Sequence, residues 1–204
     1  HIIGFGKDAV DPKELAGEPG PFRAQFSADF AWYQGMKIAL FDVTDVSNPK
    51  VLFKEVIGDR GTESEVLHNH KALFYDKERG IFAFPVNVFE IKEKPAEPTG
   101  SEYGVPVFQG AYIYSVDLEN GFRLKGKVSH ISAADIGDGG RYYDYLYGID
   151  AVKRIVSIDD FLYTVSFGLV KALKADTIEE VGQAKLSAEP ANPSYPVYPL
   201  KLPL

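Results

Sequence analysis

His70-Lys-Ala-Leu-Phe-Tyr-Asp76, Ile81-Phe-Ala-Phe-Pro-Val-Asn-Val-Phe89, Gly110-Ala-Tyr-Ile-Tyr-Ser-Val-Asp117 and Phe122-Arg-Leu-Lys-Gly-Lys-Val128 are the stretches whose reading decides the fold. Each is strand-sized and rich in β-branched and aromatic residues. The turn signals Lys77-Glu-Arg-Gly80 and Leu118-Glu-Asn-Gly121 separate them in pairs. Four antiparallel strands in a row are therefore expected from 67 to 130.

The unit recurs on both sides. Upstream, His1-Ile-Ile-Gly-Phe-Gly6, Gly35-Met-Lys-Ile-Ala-Leu-Phe-Asp42 and Val51-Leu-Phe-Lys-Glu-Val-Ile57 supply three strands and lack the first. Downstream, Val152–Asp159, Phe161–Ser166, Leu169–Asp176 and Glu180–Leu186 make a complete copy. In all three copies the third strand ends on an aspartate, Asp42, Asp117 or Asp176, whose carboxylate can accept backbone N–H bonds and start the next turn. Repeated four-stranded units predict an all-β fold, a partial β-propeller of about three blades with the first incomplete, part of a larger propeller. Blade 1 spans 1–58, blade 2 67–130 and blade 3 151–186. Residues 187–204 form a Pro-rich tail, with Pro190, Pro193, Pro196, Pro199 and Pro203 favouring extended geometry.

Composition narrows the class. A 204-residue chain that is 45% hydrophobic can bury a substantial core. Its net charge of −7 and the lack of a Lys/Arg run argue against a nucleic-acid partner. No apolar run reaches the roughly 18 residues of a membrane-spanning helix. Zero cysteines exclude disulfides and thiolate metal sites. The chain starts at a histidine within a strand pattern, so it reads as a piece of a longer precursor, with any targeting signal upstream.

Gly35-Met-Lys-Ile-Ala-Leu-Phe-Asp-Val-Thr-Asp-Val-Ser-Asn-Pro-Lys50, Ile57-Gly-Asp-Arg-Gly-Thr-Glu-Ser64, His70-Lys-Ala72 and Ser157-Ile-Asp-Asp-Phe-Leu-Tyr-Thr-Val-Ser166 carry a resemblance. Together they resemble secreted bacterial and archaeal proteins with a C-terminal β-propeller domain distantly related to WD-40 repeats, over roughly residues 2–186. The resemblance implies a secreted or surface-anchored protein with no assigned catalytic residues and no known cofactor. Asn69 stands where that family usually has an acidic residue, and residues 10–34 look like an insertion.

Function is expected on the three loops that interrupt the repeat. Residues 10–34 carry Phe22, Phe26, Phe30, Trp32 and Tyr33, either an aromatic platform for a sugar or peptide or a flap packed on the blade. Residues 91–107 read as a polar hairpin extension. Residues 133–150 combine Asp135, Asp138, Asp144 and Asp150 with Tyr142, Tyr143, Tyr145 and Tyr147. Such oxygen-rich loops can wrap calcium, although the EF-hand spacing is absent, and the alternative is an acidic loop whose tyrosines cover the channel mouth.

His68 and His70, read as alternating in a strand, would share one face and could hold a metal, with Glu63 or Glu65 as a third ligand. Ser64, His68 and Asp59 could be drawn as a triad, yet no nucleophile elbow accompanies them. Arg60 is expected to pair with Asp59 or with an acid of the next blade. The sequence thus favours a non-catalytic extracellular or cell-surface binding or scaffold domain for protein, peptide or glycan. The alternative is a calcium-assisted hydrolase or lactonase. About three blades would leave apolar faces and strand edges uncovered, so self-association through exposed blade edges is expected.

Overall fold

Eleven strands in three antiparallel sheets make up the computed structural model, which describes residues 1–11, 31–132, 136 and 148–186. Strands β1 (Ile2–Val10), β2 (Trp32–Asp42) and β3 (Lys50–Ile57) form the first sheet. The second contains β4 (Phe74–Asp76), β5 (Ile81–Glu90), β6 (Val105–Asp117) and β7 (Gly121–Val128). The third contains β8 (Arg154–Ile158), β9 (Phe161–Val165), β10 (Leu169–Lys174) and β11 (Glu180–Lys185). In each sheet the strands lie side by side in chain order, and each pairs antiparallel with the next.

The middle sheet is buried on both faces, which is why β5 reads as a nearly unbroken apolar run instead of alternating. Its even-numbered residues Phe82, Phe84, Val86 and Val88, with Tyr112 and Tyr114 from β6, pack on Met36, Ile38 and Ile57 of the first sheet. Its odd-numbered Ile81 and Ala83, with Ala111, Ile113 and Val128, pack on Val152, Ile155, Leu162 and Leu173 of the third. Among the described residues the third sheet has no such cover on its other side, where Val156, Ile158 and Phe161 are exposed.

Polar bonds tie the sheets together where the apolar cores end. The Tyr114 hydroxyl donates to Glu55 at 2.6 Å, and burial holds this phenol far above its ordinary range. Arg79 donates to Asp76 and reaches across to Asp160, both at 2.9 Å. Gln109 is buried and bonds the backbone of Val152 through both ends of its amide.

His130, just past β7, bridges to Ser166 at 3.0 Å and Thr164 at 2.8 Å. Because the Ser166 hydroxyl donates to the Leu169 carbonyl, His130 Nδ1–H donates to Ser166 and Nε2 accepts from Thr164. Burial, assisted by Lys171 and opposed by Glu180, pushes this imidazole down to about 4 from 6.5. The unfolded chain therefore takes up a proton that the folded one refuses. The stability due to neutral His130 is complete above pH 6.5 and is lost as the pH falls toward 4. Urea unfolding at pH 7 and pH 5 should show the wild-type protein losing stability over this range and His130→Gln losing distinctly less. Equal losses would remove His130 as the cause.

The turns follow the aspartate reading in two copies of three. Asp42 accepts from the hydroxyl and N–H of Thr44, and Asp117 accepts from the N–H groups of Asn120 and Glu119; these bonds hold both carboxyls below the usual range. In the third copy β10 stops at Lys174, before Asp176. The Ile178 N–H closes that turn on the Lys174 carbonyl, with Ile178 in the left-handed region at φ 59°.

Two readings of the sequence are corrected by the fold. His70–Asp76 is not one strand: 3-10 turns cover Glu65–Leu67 and His70–Ala72, and β4 is only Phe74–Asp76. Residues 91–107 are not wholly a polar extension, because β6 already begins at Val105.

The two ends of the sheets differ. Connections β2–β3, β4–β5, β6–β7, β8–β9 and β10–β11 are short turns at one end. The long connections, 11–31, 58–73, 91–104 and 129–153, all leave from the other. The bond from Asp59 N–H to the Phe89 carbonyl and the Gln109–Val152 pair fasten this loop-bearing end from sheet to sheet.

Candidate functional site

At the loop-bearing end the edge strand of the middle sheet is interrupted. Glu63 and Asn87 exchange backbone bonds of 2.9 and 2.8 Å, and pairing resumes at Phe74 with Ala83. Between them the chain bulges away through the two 3-10 turns. Ser64 and Asn69 start these turns by accepting the N–H groups of Val66 and Lys71. Pro85 lies opposite the bulge, which explains how a proline without an N–H sits in a non-edge strand. Its carbonyl accepts the Ser64 hydroxyl instead of a strand N–H.

The bulge roofs a cleft of about 560 Å³ lined by Glu63, Glu65, His68, Asn87 and Lys153, among others. Its charges are largely engaged in structural pairs. Glu63 pairs with Lys7 at 2.6 Å, and Glu65 pairs with Arg154 at 2.8 Å while accepting from Asn69 at 2.7 Å. Burial pushes the Lys153 ammonium down, and nearby Glu65 opposes it.

The drawn triad does not assemble. Ser64 is buried and committed to Pro85 and Val66, and Asp59 accepts from Ile91 N–H at 2.8 Å and pairs with Lys94 at 3.1 Å. His68 and His70 do not alternate on a strand; they belong to successive 3-10 turns, so the shared-face argument for a metal edge fails. Among the described residues no three His, Asp or Glu side chains are grouped to hold a metal ion.

A second cluster lies farther along the same end. Gly58 and Gly61, at φ 62° and 111°, bracket Asp59 and Arg60 in a backbone turn that favours glycine. The turn places the Arg60 guanidinium over the Trp32 ring at 4.3 Å and 5.8 Å from the Tyr103 ring. Arg60 Nη1 donates to the Tyr33 carbonyl at 3.4 Å. The expected ion pair of Arg60 is thus replaced by aromatic stacking. Trp32 lies under Arg60 instead of forming an open platform by itself, whereas Tyr33 is 66% and Tyr103 58% exposed.

No signal in the sequence singles out Tyr103. Its segment is organised by Glu102, whose carboxylate accepts from Thr99 and Gly100, and by Gln34, which donates to the Gly100 carbonyl at 2.9 Å. Candidates Asp135, Asp138, Asp144, Tyr142, Tyr143 and Tyr145 lie outside the described residues, as do Phe22, Phe26, Phe30 and the tail 187–204.

Three antiparallel sheets of three, four and four strands thus pack face to face. The family model described as a beta propeller domain matches residues 1–178. The chain belongs to this family. Each sheet of the propeller is a blade, and the first blade has three strands where the others have four. An uncharacterised protein of Archaeoglobus fulgidus is 26% identical over 155 residues, covering 74% of this chain and 17% of that protein. The propeller chain therefore spans less than a fifth of that relative's length. No solved structure matches it. Among the described residues no helix is long and apolar enough to cross a membrane.

Proposed function

We propose that this propeller domain is a non-catalytic binding or scaffold module of a secreted or surface-anchored protein. In this reading it engages protein, peptide or glycan at its loop-bearing end. The observation that carries the reading is the exposed Tyr103 ring beside a guanidinium stacked on Trp32, with the exposed Tyr33 next to Trp32 in β2. Exposed aromatics joined to arginine are the side chains that interfaces concentrate. The acids of the neighbouring cleft support the same reading, because Glu63 and Glu65 are paired with Lys7 and Arg154. The location and the WD-40 relationship rest on the sequence resemblance. Self-association through exposed blade edges belongs to the same reading, and the exposed Val156, Ile158 and Phe161 of the third sheet support it.

Arrays of immobilised glycans and peptides, probed with the purified domain, test the proposal. Ligands held by the wild type and lost by a Tyr33→Ala, Tyr103→Ala double variant would support it. Calcium-dependent hydrolysis of ester or lactone substrates would overturn it in favour of an enzyme. Light scattering checks the assembly: a monomer at all concentrations would sink self-association.

A further inference from the structure

We infer that Arg60 is the anion-reading group of the loop-bearing end and that its ligand is a saccharide carrying a carboxylate, a uronate. The inference rests on the binding reading above and narrows it to a ligand class.

Arg60 differs from the arginines that hold the blades together. Arg79 pairs with Asp76 and Asp160, and Arg154 pairs with Glu65. Arg60 has no carboxylate partner among the described residues, and the acid beside it, Asp59, is taken by Lys94. Its Nε is buried out of a ligand's reach, so the end of the guanidinium formed by the two Nη atoms is the part that can meet an anion. Stacking on Trp32 and the bond to the Tyr33 carbonyl fix the plane of the guanidinium. A fork held this way needs little further ordering to receive a carboxylate through two parallel bonds.

The surroundings favour a sugar over a peptide. A pyranose offers an apolar C–H face and, in a uronate, one carboxylate on the same ring. The exposed ring of Tyr103, 5.8 Å from the guanidinium, supplies a flat surface beside the charge. An extended peptide would need a free strand edge, but the backbone here is already engaged. Asp59 N–H bonds the Phe89 carbonyl, Gly104 N–H bonds the Arg60 carbonyl, and the Gly100 carbonyl accepts from Gln34. The domain's net charge of −7 gives no long-range attraction to a polyanion, so recognition should rest on the local fork and rings and favour short oligomers.

Isothermal titration of the domain with trigalacturonate and with its methyl ester is the test. The acid should bind, and the ester should bind at least about tenfold more weakly, a loss of roughly 1.4 kcal/mol. Arg60→Lys, which keeps the charge and loses the fork, should weaken binding severalfold, and Arg60→Met should abolish it. Tyr103→Ala provides a variant that leaves Arg60 in place, should Arg60→Met fail to fold; it too should weaken binding. Equal affinity for acid and ester, or no loss in Arg60→Lys and Tyr103→Ala, overturns the inference. Binding of neutral sugars or peptides that needs Tyr33 and Tyr103 but ignores Arg60 would leave the binding reading standing and overturn the uronate. Capture of a hexaglutamate peptide with the same Arg60 dependence, and no uronate binding, would overturn the saccharide assignment.

Discussion

Phe82→Ala is expected to lower the stability of the domain by about 3–5 kcal/mol. Phe82 is fully buried in β5, and its ring meets four others. These are Phe5 of the first blade at 6.0 Å, and Phe84, Tyr114 and Phe122 of its own blade at 6.1, 5.3 and 5.7 Å. Removing it empties the joint between the first two blades. The rings around the cavity sit on four strands, so they cannot collapse together without shifting a sheet. Urea unfolding at fixed protein concentration gives the value, with Phe82→Leu as a smaller-cavity control expected to lose less. A cost below about 1.5 kcal/mol would mean that the first blade does not rest on β5 through this side chain.

Gly35→Ala is expected to cost about 3 kcal/mol or more, although it adds only a methyl group. A Cβ at position 35 would lie 2.1 Å from the Gly58 carbonyl oxygen and 2.5 Å from that of Ile57. Both obstacles are backbone, so no side chain can rotate away. To admit the methyl, β2 and the end of β3 must separate, and that end leads directly into the turn that presents Arg60. The loss of stability should therefore come with a change at the binding cluster. The chain has a single tryptophan, Trp32, which lies under Arg60, so intrinsic fluorescence reports on the cluster while thermal unfolding reports on the fold. A Gly35→Ala protein with wild-type melting and emission would contradict the close approach of β2 to Gly58.

Strand-level organisation is largely legible in the amino-acid sequence, because its causes are local. The turns after Asp42 and Asp117 form through bonds to residues two or three positions ahead, which the local sequence specifies. The His70–Asp76 run reads as a full strand because its β-like composition outweighs a local signal. Ser64 and Asn69 each cap a 3-10 turn, and small polar residues in that role can be looked for in a sequence. Pro85 is a second clue to the interruption, since a proline in a non-edge strand requires a gap beside it.

The candidate site is legible only in fragments. Trp32 and Tyr33 stand out as aromatics in an interrupting loop, yet nothing near them in sequence announces Arg60 or Tyr103. Those residues come from the connections after β3 and after β5, and they meet because the first two blades pack face to face. The same packing turns the expected ion pair of Arg60 into a stack on Trp32 and leaves Asp59 to Lys94.

Sequence by itself determined the eleven strands in outline, two aspartate-closed turns and the incomplete first blade, since alternation and turn chemistry act over a few residues. Tertiary structure alone decided that β5 is covered on both faces, that the long connections share one end, and that an arginine there lies between aromatic rings. These depend on contacts between residues far apart in the chain, where burying apolar area, instead of local backbone preference, selects which side chains meet.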